Sequence, residues 1–361
     1  MLCVHNMKFK RIGKGSSGTV YRSSFQDGYV VKLMYNKELA QEEKSVLEQV
    51  DKLDPHSIFH YPIIKTLSEN YNLKLCLDCS EQKKLKPCNH IDCEYSIPIV
   101  YEDGGNSLEN YLEIRNVSGY RLKNIQNFYL GIWRLFYGVY VMSQNNCYHL
   151  DIKPSNITIK ETDTETIVKL IDYGLFHTEK TITEEISKGG LGWLFGDGYF
   201  YHPPESSLIS ESLGTVPMSY VYGRFVKGFE ESLRFAECYQ KLAPYFSTQK
   251  IDKFKFEIDR QTYTTDVGYR VTINFKSLYS NIDTYMLGLS LKAIVSNIKD
   301  YDLSETDREF TIQLDDLTSK MCSMYVGERI KPQVAFEKYL HMLKAIYDVD
   351  MTDLLSVDVH N

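Results

Sequence analysis

Short apolar runs with strand-like spacing dominate the first hundred residues. Apolar positions 39, 46, 47 and 50 instead share the spacing of a helix, which predicts a helix over residues 38–53. The predicted strands cover residues 9–12, 19–21, 29–34, 58–67 and 95–101. This part of the chain is therefore expected to be mainly strands with one helix.

From about residue 108 the apolar spacing becomes mostly helical. Long helices are predicted over residues 125–144, 282–295 and within 308–347. Two short strands are predicted at residues 157–159 and 168–171, joined by a polar turn. The predicted fold class is α+β, with a β-rich first part followed by a mainly helical part.

Composition and charge narrow the function. The chain has 361 residues, 43% of them hydrophobic and 25% charged, as in ordinary globular proteins. Its net charge of −7 makes direct nucleic-acid binding unexpected. No apolar run reaches the roughly 20 residues of a membrane-spanning helix, and no signal peptide is recognisable. We expect a cytoplasmic or nuclear protein that is neither secreted nor transmembrane.

A glycine-rich segment between the first two predicted strands carries the first chemical signal. Gly13, Gly15, Gly18 and Val20 fit the pattern G-x-G-x-x-G-x-V. Glycine lets backbone N–H groups approach phosphate oxygens closely. A dinucleotide-binding turn would continue into a helix, whereas this segment continues as a strand. The alternative is a glycine-rich hairpin without a ligand.

Lys32 lies at the end of a buried run, where its charge can neutralise a phosphate held by the glycine-rich segment. A lysine placed in this way needs a carboxylate partner. Glu43 is preferred because Val46 and Leu47, one turn later, are expected to face the core; Glu42 and Glu48 are the alternatives. Taken singly, each of these glutamates would be read as a solvated helix charge.

The segment from His149 to Asn156 and the one around Asp172 carry the remaining chemistry. Asp151 can accept the proton of an attacking hydroxyl, and Lys153 can neutralise a phosphate. Asn156 and Asp172 offer oxygen ligands, which hard cations such as Mg²⁺ prefer. Each segment alone is compatible with a simple polar turn, but their order after a glycine-rich loop and a strand lysine favours a catalytic site.

In this order the motifs resemble those of the eukaryotic-type protein kinases, from about residue 9 to about residue 339. Three later features extend the resemblance. Pro203-Pro204-Glu205 resembles the end of the activation segment, Asp283 begins a motif like that of the central large-lobe helix, and Arg329 is similar to the arginine that pairs with Glu205.

The resemblance implies a bilobal fold, with an N-lobe over residues 1–103 and a C-lobe over residues 104–361. It implies an ATP- and Mg²⁺-dependent enzyme, with Mn²⁺ as an alternative, that transfers the γ-phosphoryl group to protein serine or threonine. In that family a lysine two residues after the catalytic aspartate marks serine/threonine kinases, and Lys153 stands in this position relative to Asp151.

The family also implies individual roles. Lys32, braced by Glu43, would hold the α- and β-phosphates, and Asn156 and Asp172 would bind two magnesium ions. Nucleotide binding further implies Val20 against adenine, Tyr101 at the gatekeeper position, and a hinge including Glu102 and Gly104. Together with Lys32, Asp151 and Lys153 are the expected catalytic residues.

The chain also departs from the family pattern. Leu150 replaces the arginine that normally receives an activation-loop phosphate, so partner-driven or constitutive activity is expected. Asp172-Tyr173-Gly174 is similar to the casein-kinase-one and vaccinia-related branch, although Pro203-Pro204-Glu205 fits that branch poorly. No clear threonine precedes Tyr201. Divergence and compositional bias suggest a large DNA virus or a parasite as the source.

Two insertions interrupt the kinase pattern. The first, at about residues 73–94, could close a structural Zn²⁺ site or could contain only reduced cysteines. Its candidate ligands are Cys76, Cys79, Cys88, His90 and Cys93. The second, about 206–280, is expected to contain a helix over 230–242 and a strand pair over 254–258 and 271–275, either binding a regulatory partner or elaborating the C-lobe.

Two other functions remain open from the sequence. A pseudokinase would bind nucleotide as a scaffold or interaction module, although all the phosphate- and metal-handling residue types are present. A kinase-like phosphotransferase would act on a small molecule, although Lys153, Glu205 and Arg329 favour a protein substrate.

Overall fold

The computed structural model places the chain in two compact units, Met1–Gly105 and Asn106–Asn361. Within them it describes residues 9–15, 17–23, 28–66, 98–112, 119–187, 201–203, 215–217, 263–266, 270–273, 281–323 and 328–354.

The first unit is built on a five-stranded antiparallel sheet with the strand order β1-β2-β3-β5-β4. Its strands are β1 (Phe9–Lys14), β2 (Gly18–Ser23), β3 (Tyr29–Met34), β4 (Lys65–Thr66) and β5 (Pro98–Glu102). The first three and β5 confirm predicted strands. Alternate residues of β3 are buried, so one face of the sheet is turned toward the core.

Helix α1 (Lys37–Leu53) follows β3, as its apolar spacing predicted. Asn36 caps its first turn, because the side chain accepts a hydrogen bond of 2.8 Å from the N–H of Leu39. Leu47 and Val50 are buried on one face of the helix. The core nearby contains Met34 of β3, Ala40 of α1 and Ile99 of β5, with Leu39, Ile63 and Tyr101 packed against it.

The strand predicted over residues 58–67 is wrong for most of its length, since within the described residues 58–66 only Lys65 and Thr66 form a strand. The reason is the buried carboxylate of Asp54. It accepts hydrogen bonds from the N–H groups of Ile58 (2.8 Å), Phe59 (2.7 Å) and His60 (3.2 Å). These N–H groups are bonded locally and are not available to a neighbouring strand.

The second unit is mainly helical. Its helices are α2 (Ile125–Gly131), α3 (Trp133–Gln144), α4 (Glu179–Ser187), α5 (Ile282–Ile298), α6 (Glu305–Met321) and α7 (Pro332–Tyr347). Its strands before the second insertion are β6 (Asn106–Ser107), β7 (Cys147–Tyr148), β8 (Ile157–Glu161), β9 (Thr166–Leu170) and β10 (His177–Thr178). Strands β6, β8 and β9 form one small sheet, and β7 pairs with β10.

The single helix predicted over 125–144 is wrong in one respect, because it is interrupted at Ile132 between α2 and α3. Leu135 donates its N–H to the carbonyl of Ile132, three residues back, so the turn is tightened there. A Cβ at the preceding Gly131 would lie 2.2 Å from the carbonyl oxygen of Thr166. Glycine therefore allows β9 to approach this turn closely.

Helix α5 lies at the centre of the second unit, with almost every residue buried. Stacked aromatic rings join α2, α3, α6 and α7 into the same core: Tyr129 on Phe310, with ring centroids 4.6 Å apart, and Phe136 on Tyr339, 4.2 Å apart. None of the helices in the described ranges is long and apolar enough to cross a membrane.

Part of the second insertion is described. Strands β11 (Thr215–Pro217), β12 (Tyr263–Asp266) and β13 (Arg270–Ile273) form a sheet in the order β11-β13-β12. Strand β13 supports the predicted strand near residue 271, and among the described residues it pairs with β11 on one side and β12 on the other. The predicted strand 254–258 and helix 230–242 lie outside the described residues, as do the Cys/His ligands of the first insertion.

Candidate active site

The glycine-rich segment forms the turn between β1 and β2. Gly15 donates its N–H to the carbonyl of Gly18 at 2.9 Å, and Gly13 lies opposite Val20 in the strand pair. A Cβ at Gly18 would come within 2.5 Å of the carbonyl oxygen of Leu33, so a side chain there would force β2 away from β3. The tight packing of this turn against β3 thus depends on glycine.

Lys32 of β3 and Glu43 of α1 form a short ion pair, with 2.6 Å between Nζ and Oε2. Tyr101 of β5 donates its hydroxyl to the other oxygen of Glu43, also at 2.6 Å. Between the alternatives left by the sequence, Glu43 is the partner of Lys32, while Glu48 lies 3.9 Å from Lys44 on the exposed side of the helix. The three side chains are held together by charge-assisted hydrogen bonds.

Arg22 of β2 binds the segment that follows β5, and no sequence signal indicates this contact. Arg22 binds both carboxylate oxygens of Asp103, with Nη2 at 2.8 Å from Oδ1, and Nη2 also donates to the carbonyl of Gly105 at 3.0 Å. Glu102 ends β5, and Gly104 is buried. The predicted hinge residues Glu102 and Gly104 therefore lie in a segment whose backbone is held by hydrogen bonds from the Arg22 guanidinium group.

In the second unit Asp151, Lys153 and Asn156 meet in one cluster. Lys153 Nζ lies 3.0 Å from each oxygen of the Asp151 carboxylate. The side-chain amide of Asn156 donates to the Asp151 carboxylate (2.8 Å) and to its backbone carbonyl (2.9 Å). Asn156 closes a short 3₁₀ turn, Pro154–Asn156, which brings its amide back over Asp151.

Burial raises the pKa of Asp151 to about 6. The negative charge of Asp172 raises it further, while the charge and hydrogen bonds of Lys153 oppose the shift. A carboxyl group with a pKa near neutrality can accept a proton from a substrate hydroxyl and release it again. The environment of Asp151 is thus suited to general-base work.

Asp172 follows β9 in the left-handed region, with φ 62° and ψ 70°. The adjacent segment is fixed by His149, whose Nε2–H donates to the carbonyl of Ile171 at 3.2 Å. Burial lowers the pKa of His149 to about 4, so the ring is neutral at pH 7. Its ring also packs against Tyr173, with centroids 4.6 Å apart.

Asp283, at the start of α5, fixes the backbone of the same loop. Its carboxylate accepts the N–H of His149 at 2.7 Å and the N–H of Leu150 at 2.8 Å. Burial raises the pKa of Asp283 to about 6, and these two bonds oppose the shift. Leu150, which stands where the family has arginine, is completely buried and adopts a positive φ of 60°.

The donor atoms in this cluster fit a magnesium ion. Both amide hydrogens of Asn156 are used by Asp151, which leaves Oδ1 as the atom that the amide can offer to a cation. The Asp172 carboxylate lies near enough to raise the pKa of Asp151, and a nearby cation would offset that repulsion. Such oxygen donors are the ligands that Mg²⁺ prefers.

Of the remaining predicted site residues, Arg329 lies within the described part of the chain, whereas Glu205 and the candidate zinc ligands do not. Arg329 is buried, donates to the carbonyl of Ser323 at 2.9 and 3.1 Å, and lies over the ring of Tyr285. Glu205, its predicted partner, lies outside the described residues. The candidate zinc ligands also lie outside them, and the described residues contain no group of three or more His, Cys, Asp or Glu side chains placed to hold a metal ion.

His202 is a further residue of this site, and its buried ring lies 3.0 Å from the carbonyl oxygen of Leu150. No sequence signal identified it, because nothing in the spacing of a single histidine indicates that it bonds a carbonyl 52 residues earlier in the chain.

Comparison with known families agrees with this arrangement. The pattern of the protein kinase domain matches residues 7–194, more than half of the chain. The chain therefore belongs to the protein kinase family, and the predicted fold class, with a strand-rich N-terminal part and a helical C-terminal part, is confirmed. The match is to the family as a whole and does not separate its branches. No curated protein matches the chain.

Proposed function

We propose that this kinase-family chain is an active, ATP- and Mg²⁺-dependent protein kinase that phosphorylates serine or threonine. The observation that carries the proposal is the cluster of Asp151, Lys153 and Asn156, with Lys153 3.0 Å and Asn156 2.8 Å from the Asp151 carboxylate. The carboxylate of Asp151 can accept a proton, and the Lys153 ammonium group and the Asn156 side-chain amide both lie within hydrogen-bonding distance of it.

Asp151 is the proposed catalytic base. Its carboxylate would receive a hydrogen bond from the acceptor hydroxyl, orient the oxygen for in-line attack, and take up the proton as the new P–O bond forms. Lys153, which binds both Asp151 oxygens in this structure, can turn toward the transferred phosphoryl group and stabilise its negative charge.

The phosphates of ATP would be bound by Lys32 and by magnesium held by Asn156 and Asp172. Lys32 has the right charge for the α- and β-phosphates, and its ion pair with Glu43 holds Nζ in place. Asn156 and Asp172 would hold magnesium, which neutralises phosphate charge when bound. The first and second units would then be the N-lobe and C-lobe of the kinase, and Tyr101 to Gly104 would border the adenine.

Serine/threonine specificity rests on Lys153, through the family resemblance, and on its contact with Asp151. The proposed partners are ATP and a protein substrate, with a regulatory partner on the 206–280 insertion. The Cys/His segment is proposed as a structural Zn²⁺ site, and a cytoplasmic or nuclear location is proposed for the protein. Metal analysis of the purified protein would test the zinc proposal, and absence of zinc would reject it.

The test of the proposed function is transfer of radiolabelled phosphate from ATP to casein, histone and the chain itself, with Mg²⁺ and with EDTA. We expect Mg²⁺-dependent labelling, and acid hydrolysis should yield phosphoserine or phosphothreonine. ATP binding without transfer to any acceptor would instead indicate a pseudokinase. Labelling of tyrosine alone would contradict the proposed specificity.

A further inference from the structure

The peptide unit between Leu150 and Asp151 lies in an unusual environment. Leu150 has a φ of 60°, a left-handed conformation that is unfavourable for a residue with a side chain. Such a conformation persists only when surrounding contacts hold it. Asp283 holds the N–H groups on the N-terminal side of this peptide. The peptide itself, which leads into the proposed catalytic base, must be held by other groups.

Two histidines bind the two polar ends of that peptide. The ring of His202 lies with Nε2 3.0 Å from the Leu150 carbonyl oxygen. On the other side, the N–H of Asp151 points to Nδ1 of His149 at 3.3 Å. The carbonyl and the N–H of one peptide unit are therefore each bonded to an imidazole, and its plane cannot rotate without breaking one of these bonds.

The protonation of both rings is fixed by their partners. A carbonyl oxygen can only accept, so Nε2 of His202 carries the hydrogen. His149 accepts at Nδ1 and donates from Nε2 to the carbonyl of Ile171, so it is the same neutral tautomer. Burial lowers the pKa of each histidine to about 4, which keeps both rings neutral at pH 7.

We propose that His202 is a positioning residue for phosphoryl transfer: its bond to the Leu150 carbonyl orients the peptide that carries Asp151. This inference rests on the proposed function. The ring is about 3% exposed and lies 52 residues beyond Leu150, so it also ties the chain at Tyr201–Pro203 to the catalytic loop. A misplaced Asp151 would orient the acceptor hydroxyl poorly even with ATP fully bound.

The test compares two substitutions at this position. His202→Leu fills the site but removes the donor, whereas His202→Gln can present an N–H close to the original Nε2. We expect His202→Leu to lower kcat roughly tenfold or more, with KM for ATP within about twofold of wild type. The Gln variant should recover most of the lost rate, because it restores the hydrogen bond.

His177→Leu is the matched control. His177 also bonds a backbone carbonyl, with Nδ1 2.8 Å from the oxygen of Leu175, but it does not contact the peptide between Leu150 and Asp151. This variant should keep the wild-type kcat. The inference is overturned if His202→Leu retains kcat within about twofold of wild type, or if Gln is as impaired as Leu.

A second measurement does not require either variant to fold or the protein to be active. In wild-type protein labelled with ¹⁵N in its nine histidines, ring nitrogen shifts distinguish an imidazolium from each neutral tautomer. At pH 7 His202 should carry hydrogen on Nε2, whereas the neutral tautomer with hydrogen only on Nδ1 would overturn the inference, because Nε2 could not then donate to the Leu150 carbonyl. Wild-type protein that binds ATP but transfers no phosphate would defeat the proposed function alone, since the NMR result stands separately.

Discussion

The hydroxyl of Tyr101 donates to Oε1 of Glu43 at 2.6 Å, while Oε2 of the same carboxylate accepts from Lys32 at 2.6 Å. Each oxygen of Glu43 therefore has its own donor. The family resemblance assigned Tyr101 to the border of the adenine site, but its hydroxyl bonds to the ion pair. Tyr101 fixes the carboxylate plane of Glu43 and, through it, the position of Lys32.

The first prediction concerns this hydroxyl. Tyr101→Phe keeps the ring and removes one hydrogen bond to a charged group, an interaction of about 1.5–3 kcal/mol. The Tyr101 hydroxyl acts on Lys32 only through Glu43, so only part of this free energy affects the position of Lys32. We therefore expect KM for ATP to rise roughly three- to tenfold. Steady-state kinetics with the ATP concentration varied and the protein acceptor saturating would measure this change in KM.

Tyr347→Phe is the matched control, since the hydroxyl of Tyr347 also donates to a carboxylate oxygen at 2.6 Å, that of Asp307 in the second unit. It should lower stability without changing KM for ATP. Equal KM values for Tyr101→Phe and wild type would contradict the role given to the Tyr101 hydroxyl.

The second prediction concerns the buried Asp54. Alanine there would leave the N–H groups of Ile58, Phe59 and His60 and the His60 ring without their acceptor. We expect the free energy of unfolding to fall by about 3 kcal/mol or more, because unsatisfied buried donors are costly. Denaturant unfolding with a probe in the first unit would measure the change.

Asp51→Ala is the comparison for that experiment. Asp51 bonds the other nitrogen of His60, but its side chain is 44% exposed and water can replace it. Its loss should reduce the free energy of unfolding by about 1 kcal/mol or less. If the two alanine variants are equally stable, the Asp54 carboxylate does not organise the 58–64 segment as described.

The third prediction follows from the raised pKa of Asp151, about 6 in the folded protein against an ordinary value of 3.8. The folded state binds the proton more tightly than the unfolded state, so this group lowers stability as pH rises from about 4 through 6. Asp151→Asn removes that ionisation. At pH 8 we expect it to increase the free energy of unfolding by about 1–3 kcal/mol.

The gain should disappear as the pH falls below about 4, where Asp151 is protonated in both states. The thermal midpoints of wild type and Asp151→Asn, measured without nucleotide from pH 4 to 8, test this. Asp163→Asn, at an exposed carboxylate, should track wild type throughout. A constant difference between Asp151→Asn and wild type at every pH would contradict the raised pKa.

Most of the regular elements could be predicted from the sequence because the periodicity of their apolar residues reflects burial directly. Strand β3 and helix α1 each bury one face, and both were predicted within one residue of their observed starts. The prediction of a strand at 58–67 was wrong because an apolar run does not reveal that the Asp54 side chain binds its backbone N–H groups.

For the candidate site, local motifs indicated residues whose spacing is characteristic, such as Asp151 and Asn156, which the structure brings within hydrogen-bonding distance. Contacts between distant single residues have no such spacing. The bonds from Arg22 to Asp103 and from His202 to Leu150 depend on tertiary packing, so only the structure identifies them.

The most direct test of the central claim is phosphoryl transfer by Asp151→Asn, measured beside MgATP binding. Asparagine keeps the shape of the side chain but cannot accept the hydroxyl proton. The account predicts that the rate of transfer to a serine or threonine acceptor falls by about 100-fold or more while Kd for MgATP stays within about threefold. A variant that transfers phosphate at the wild-type rate would contradict the assignment of Asp151 as the catalytic base.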